Sequence, residues 1–301
     1  MFRMALSKLT SRKLIIIGTA VIIVFLAAVW ATGNVLSSPV NGGIGGSPTD
    51  LNAVPVQFSS LSGATIHGWL IRGKENAGVI ILMHGVRANR LSMLERARFL
   101  AHADYSVLLF DFQAHGESLG KQITFGYLES KDAQSAVNYI RSILPTEKIG
   151  IIGVSMGGAA VLLAKPQSDV KAVVIEMVYP TIEQAISNRL TEHLGSWATV
   201  LTPLLTWQLK PRLGISADEL RPIAHVGELN MPKLFIAGAN DHQTTLKESN
   251  QLYEAASMPK EFWIAPNAKH EDLHTLAKEE YEKRVLNFFE MFLRLEKPNL
   301  T

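Results

Sequence analysis

The sequence predicts an α/β fold, a mainly parallel sheet covered by helices on both faces, and three observations carry that prediction. From residue 78 onward, short apolar runs of strand length alternate with longer runs of helical character. The short runs are apolar throughout rather than alternating, the pattern of strands buried on both sides. One of them, residues 149–154, passes straight into Gly153-Val154-Ser155-Met156-Gly157 and then an Ala- and Leu-rich helix start. With 301 residues, 47% of them hydrophobic and 19% charged, the chain suffices for one such domain with a continuous core and shows no second catalytic domain.

Taken in order, residues 1–13 hold Arg3, Lys8, Arg12 and Lys13 and no acid, and the eighteen residues 14–31 carry no charge. As a helix this stretch covers roughly 27 Å, close to the hydrocarbon thickness of a bilayer. A cleaved secretory signal fits the same stretch, since Val29-Trp30-Ala31 loosely matches a small-residue cleavage pattern. The bulk of Trp30 and the long apolar core favour a retained signal-anchor. Either reading places the rest of the chain on the extracytoplasmic side. Residues 32–50, rich in Gly, Ser, Pro and Asn, read as a flexible linker, which leaves residues 51–301 as the folded body.

Within the body, residues 54–58 and 64–71 form an antiparallel opening pair around Ser-Leu-Ser-Gly. Strands follow at 79–83, 107–110, 149–154, 172–176, 233–237 and 261–265, with helices near 91–103, 127–143, from Met156, 246–256 and 276–295. The insertion at about 180–230 is longer than an α/β unit needs. Its Leu194, Trp197, Leu201, Leu204 and Leu205 fall near helical spacing until Pro203 interrupts them, and Trp207 and Leu209 extend the apolar character. It reads as a helical cap packed on the body, or as a lid lining an acyl pocket or dipping into a membrane. The apolar run is too short for a second span.

Composition excludes several functions. The net charge of +2 becomes −2 once the four basic residues of the first thirteen are set aside, so no basic face for nucleic acid is expected. The chain has no cysteine, which excludes disulfides, thiol catalysis and thiolate-bound metal. His67, His102, His193 and His225 show no metal-ligand spacing, so no metal is expected, and the motifs below imply no organic cofactor.

In a parallel sheet, reactive groups collect at the carboxyl ends of strands. A serine hydroxyl is a poor nucleophile unless a strained turn holds it out beside a base, and the small residues around Ser155 permit that turn. The strand at 79–83 runs into His84-Gly85-Val86-Arg87, where Gly85 lets the backbone turn tightly enough to aim an amide at an oxyanion. The strand at 233–237 runs into Gly238-Ala239-Asn240-Asp241, and that at 261–265 into Pro266-Asn267-Ala268-Lys269-His270. Ser155, Asp241 and His270 thus follow in the order nucleophile, acid, base. A turn residue bonded to its own backbone is the alternative for Asp241. His274 competes with His270, yet it stands at the approach to the last helix, where it caps that helix or lies on its surface. His84 and His115 read as structural rings bonded to backbone.

These motifs, together with Asp111-Phe-Gln-Ala-His115-Gly116-Glu-Ser118, resemble the α/β-hydrolase superfamily over nearly everything after the linker, and its esterase-like, serine aminopeptidase-like branch most of all. Gln113 stands where relatives often carry Arg, and Ala114 where Gly is usual; both belong to a turn that is mainly architectural. The resemblance implies a membrane-anchored serine hydrolase acting on a small or lipid-like ester. Ser155 forms an acyl-enzyme, His270 is the base, Asp241 orients it, and the amides of Met156 and Val86 form the oxyanion hole. An aminopeptidase or a thioesterase on the same triad stays open, as does a non-catalytic lipid-binding protein on this fold. Oligomeric state is not readable from the sequence.

Overall fold

The computed structural model describes residues 2–165 and 169–294, with side chains from residue 12 onward. The side chains of Arg3 and Lys8, and Leu295 of the expected last helix, lie outside the described residues. Helix α1 (Phe2–Ser37) leads, followed by the short strand β1 (Val40–Asn41) and the hairpin β2 (Val54–Ser59) and β3 (Thr65–Ile71). Then come β4 (Val79–Met83), α2 (Leu94–His102), β5 (Ser106–Phe110), β6 (His115–Gly116), α3 (Tyr127–Ile143), β7 (Ile149–Val154), α4 (Met156–Ala164) and β8 (Val170–Glu176). Helices α5 (Ile182–Leu194), α6 (Thr202–Trp207) and α7 (Leu209–Leu213) form the insertion before β9 (Lys233–Gly238), α8 (Leu246–Ala255), β10 (Lys260–Ala265), α9 (Leu273–Leu276) and α10 (Lys278–Leu293).

Eight strands make one sheet in the order β10-β9-β8-β7-β4-β5-β3-β2. From β10 to β5 every neighbour is parallel, while β3 runs antiparallel to both β5 and β2. The mainly parallel sheet expected from the sequence is present. Alternate residues of each strand feed separate cores. Ile81, Met83, Phe110 and Ile151 pack with α3 and α4 through Ala136, Ile140 and Ala160. Ile80, Leu82, Leu109 and Ile152 pack on the other face with Leu100 of α2 and Val285 and Phe289 of α10. Each fully buried aliphatic or Phe side chain is worth about 1.5–3 kcal/mol relative to exposure, so these two layers hold the sheet.

Residues 12–37 of α1 form a helix long and apolar enough to cross a membrane, with a mean hydropathy of 2.8. The stretch expected to be a flexible linker from residue 32 opens instead with helix and a two-residue strand. The helix continues through Gly33 to Ser37, because no proline interrupts it before Pro39, and Val40–Asn41 then pair in parallel with His115–Gly116. The Val40 amide donates to Ala114 O (2.9 Å), that of Gly42 to Gly116 O (2.9 Å), and Leu51 is buried. Composition registers Gly and Ser as flexible, yet their backbone polar groups pair like any others when a partner edge is available. Pro203 also differs from expectation, sitting in the first turn of α6, where its missing N–H costs nothing.

Candidate active site

Three strand ends converge. After β7, Ser155 adopts φ 51° and ψ −115°, a left-handed conformation unfavourable for a residue with a side chain. The surroundings enforce it: the Ser155 amide donates to Glu176 O at the end of β8 (2.8 Å), and α4 begins at the next residue. The helix comes this close only because Gly157 has no side chain, since a Cβ there would stand 2.3 Å from Met83 O. After β9, Asp241 is buried, and its Oδ1 accepts the amides of Gln243 and Thr244, both at 2.8 Å. After β10, His270 Nδ1 donates to Asp241 Oδ2 at 2.8 Å, and Nε2 accepts the Ser155 hydroxyl at 3.2 Å. The two Asp241 oxygens thus divide their work, one fixed by backbone and one left for imidazole. This selects the tautomer whose free nitrogen faces the serine.

The loop after β4 completes the site. A Cβ on Gly85 would lie 3.6 Å from Ser155 Cβ, so the His84-Gly85-Val86 turn passes directly beside the serine. Val86 and Met156 border the same cavity as Ser155. As the first residue of α4, Met156 has an amide with no intrahelical acceptor, and it sits at the positive end of the helix dipole. His84 is fully buried: Nδ1 donates to Gly85 O (2.8 Å) and Nε2 accepts the Phe112 amide (3.1 Å). Burial, and then the neighbouring His115, push its pKa down to about 3, so it is neutral and structural. His115 is likewise bonded to backbone, through Gln113 O (2.9 Å) and the Arg87 amide (3.1 Å). Gln113 bridges Gln122 O and Glu129 Oε1, both at 2.8 Å, and Ala114 takes φ 60°, the conformation glycine would adopt more easily. His274 is neither a cap nor on the surface. It is buried, stacks on Phe99 at 5.2 Å and bonds Glu282 Oε1 through Nε2 (2.8 Å), because the short turn α9 folds it back onto α2 and α10.

A second cluster adjoins the His270 loop. Arg96 and Glu176 are buried and paired, Nη2 to Oε2, at 2.9 Å. The Tyr281 hydroxyl donates to Glu176 Oε1 and accepts from Arg96 Nε (3.0 Å). Arg96 Nη1 also reaches Asp272 Oδ1 at 2.7 Å, two residues beyond His270. Burial opposes the charge on Asp272, but Arg96 outweighs it and holds the carboxyl below its usual range. Glu176 therefore steadies Ser155 through its backbone and, through Arg96, the loop that carries His270. Sequence reading missed this cluster; its one signal was an acid closing the apolar run of β8.

The cavity above Ser155 measures about 410 Å³, within the span typical of ligand pockets. Its walls include Phe125, together with Ile182, Ile186, Leu205 and Leu213 from the insertion and Leu36 from α1. Among the described residues no acid lines it, and no cluster of His, Asp and Glu suits a metal ion.

Comparison with known proteins gives consistent relatives. The hydrolase family described as Serine aminopeptidase, S33, matches residues 74–220, a span that includes Ser155 and ends before Asp241 and His270. The uncharacterised protein YqkD of Bacillus subtilis is 28% identical over 239 residues, 77% of each chain. The α/β-hydrolase domain-containing protein WAV2 of Arabidopsis thaliana is 26% identical over 266 residues, 82% of each chain. Among solved structures, the Pyrococcus furiosus esterase Pf2001 superposes with a TM-score of 0.70 at 23% identity, covering 86% of this chain and 98% of that one.

Proposed function

Because the chain belongs to the α/β-hydrolase superfamily, in its esterase-like and serine aminopeptidase-like branch, we propose that it is a serine esterase working through an acyl-enzyme. The carrying observation is the unbroken hydrogen-bonded series from Ser155 through His270 to Asp241, at 3.2 and 2.8 Å. In this reading Ser155 Oγ attacks the ester carbonyl as His270 Nε2 takes its proton, and Asp241 stabilises the imidazolium that results. The amides of Val86 and Met156 receive the negative oxygen, and losing one such donor costs about 10²–10³ in turnover. His270 then passes its proton to the departing alkoxide, which leaves as the alcohol. It next takes a proton from water, whose oxygen attacks the acyl carbonyl, and finally returns the proton to Ser155 as the acid departs.

The family match also favours an aminopeptidase, which cleaves next to a free amine. Such a site needs a carboxylate near the serine to hold the ammonium, and the cavity wall among the described residues offers none. A thioester would be cleaved by the same groups. In this proposal the chain is held in a membrane by α1, with the catalytic body on the extracytoplasmic side. The four basic residues ahead of the span stay cytoplasmic.

The test is covalent labelling by a serine-directed fluorophosphonate together with hydrolysis of p-nitrophenyl esters. Both should be lost in Ser155→Ala while the fold survives. Undiminished labelling of that variant would assign the nucleophile elsewhere.

A further inference from the structure

Helix α1 does more than precede the body. The Gln208 side-chain amide donates to Val29 O at 3.0 Å, and Arg212 donates to Trp30 O at 2.6 Å and to Asn34 Oδ1 at 2.8 Å. The same guanidinium lies 4.3 Å from the centre of the Trp30 ring. The contact is close enough that a Cβ on Gly33 would stand 2.3 Å from Gln208 Oε1. At the helix end the body adds donors: Arg87 Nη1 to Val35 O (3.1 Å), which also accepts the Ser38 hydroxyl (2.7 Å), and the Ile123 amide to Ser37 O (2.8 Å). Arg87 follows Val86 directly, so the end of α1 is bonded to the loop that supplies the proposed oxyanion donor.

The side of α1 turned to the body faces the cavity, where Thr32, Gly33 and Leu36 form a wall with Ser155 among the groups across from them. Leu36 stands only about 7.5 Å along the helix axis from Ala31, the last residue of the uncharged stretch. The insertion packed against α1 leaves Trp207 (68% exposed) and Val200 (70%) outward, apolar groups suited to a lipid interface.

We infer that the last two turns of α1 are a specificity-determining wall of the pocket, and that the substrate is a membrane-resident ester whose acyl chain lies against them. The inference rests on the esterase reading above. It follows that the helix holding the protein at the bilayer also measures the chain it draws from that bilayer.

The experiment uses the full chain in phosphatidylcholine vesicles and compares kcat/KM for p-nitrophenyl laurate and p-nitrophenyl butyrate. Leu36→Trp should lower the laurate-to-butyrate ratio about tenfold or more, the scale of a pocket misfit of one or a few methylenes. Leu36→Ala, which adds space, should shift the ratio toward the longer ester. Val24→Trp places the same bulk on the exposed side of α1 and should leave the ratio unchanged. Fluorophosphonate labelling reports a folded site; if Leu36→Trp loses it, Leu36→Ala decides. An unchanged ratio in Leu36→Ala, or a ratio moved equally by Val24→Trp, overturns the wall. Laurate hydrolysis no faster with vesicles than with dispersed ester overturns the membrane source. Absence of labelling and of butyrate hydrolysis in the unmodified chain is the separate result that removes the esterase reading, and this inference with it.

Discussion

Arg96→Met tests how the site is held together. The guanidinium is 2% exposed and its partner Glu176 is fully buried, so the variant leaves a carboxylate out of water with only the Tyr281 hydroxyl as a side-chain partner. Breaking one side of a buried pair costs about 3–5 kcal/mol, because the remaining charge keeps its desolvation penalty. For a body of this size each kcal/mol moves Tm by about 2–4 °C, giving an expected fall of roughly 6–20 °C. Asp272 also loses its cation, so the His270 loop loosens and the fluorophosphonate labelling rate should fall even well below the new Tm. Adding Glu176→Leu removes the stranded charge, and the double variant should recover most of the stability and little of the labelling rate. Circular dichroism melts of the full chain in detergent, run beside the labelling, measure both. A loss below about 1 kcal/mol in the single variant would refute the reasoning, since removing the partner of a buried group would then carry no penalty.

Three further outcomes are expected. Ser155→Gly removes both the hydroxyl and the side chain that strains φ 51°, so labelling should vanish while the melt rises by about 1 kcal/mol equivalent; Ser155→Ala, which keeps the strain, should melt within about 0.5 kcal/mol of the parent. His84 has a folded pKa of about 3, far below the value for an exposed imidazole, so the unfolded chain binds the proton first as pH falls. Stability should therefore be complete above about pH 6.5 and drop by up to ~1.4 kcal/mol per pH unit below it from this group, a slope that His84→Gln reduces in acid denaturation. Asp241→Asn should cut turnover by about 10⁴ with little change in fold, because the imidazole is left in the wrong tautomer; a mild loss in steady-state rates would mean Asp241 serves only its own turn.

Much of this arrangement was readable in the chain because the strands are apolar throughout and stop abruptly. The residues after 83, 154, 237 and 265 therefore had to lie on one rim of the sheet, and Ser155, Asp241 and His270 were found there. What was not readable depends on partners distant in sequence. Glu176 meets Arg96 across 80 residues and Tyr281 across 105, and no local pattern announces either pairing. The docking of α1 was hidden for a different reason: two of its bonds, from Gln208 and Arg212, go to main-chain carbonyls that leave no mark in composition, and Asn34 and Trp30, which also meet Arg212, carry no local sign of a partner 178 and 182 residues away. His274 was misplaced because four residues of helix, too short to show a period, turn it inward.

The eight-stranded sheet also has two open rims, and their chemistry bears on crowding. A protein confined to a surface meets its own copies far more often than one in bulk, and an unpaired strand invites another to add to it. The outer strand β2 carries Pro55, paired with Trp69 of β3, and a proline within a sheet sits where its missing N–H would have pointed outward. On the opposite rim β10 begins with Lys260 and Glu261, the latter exposed, so a copy adding there would have to strip water from charge. Each rim thus lacks a clean ladder to extend, which would keep neighbouring molecules from zipping into mixed sheets when they are crowded together.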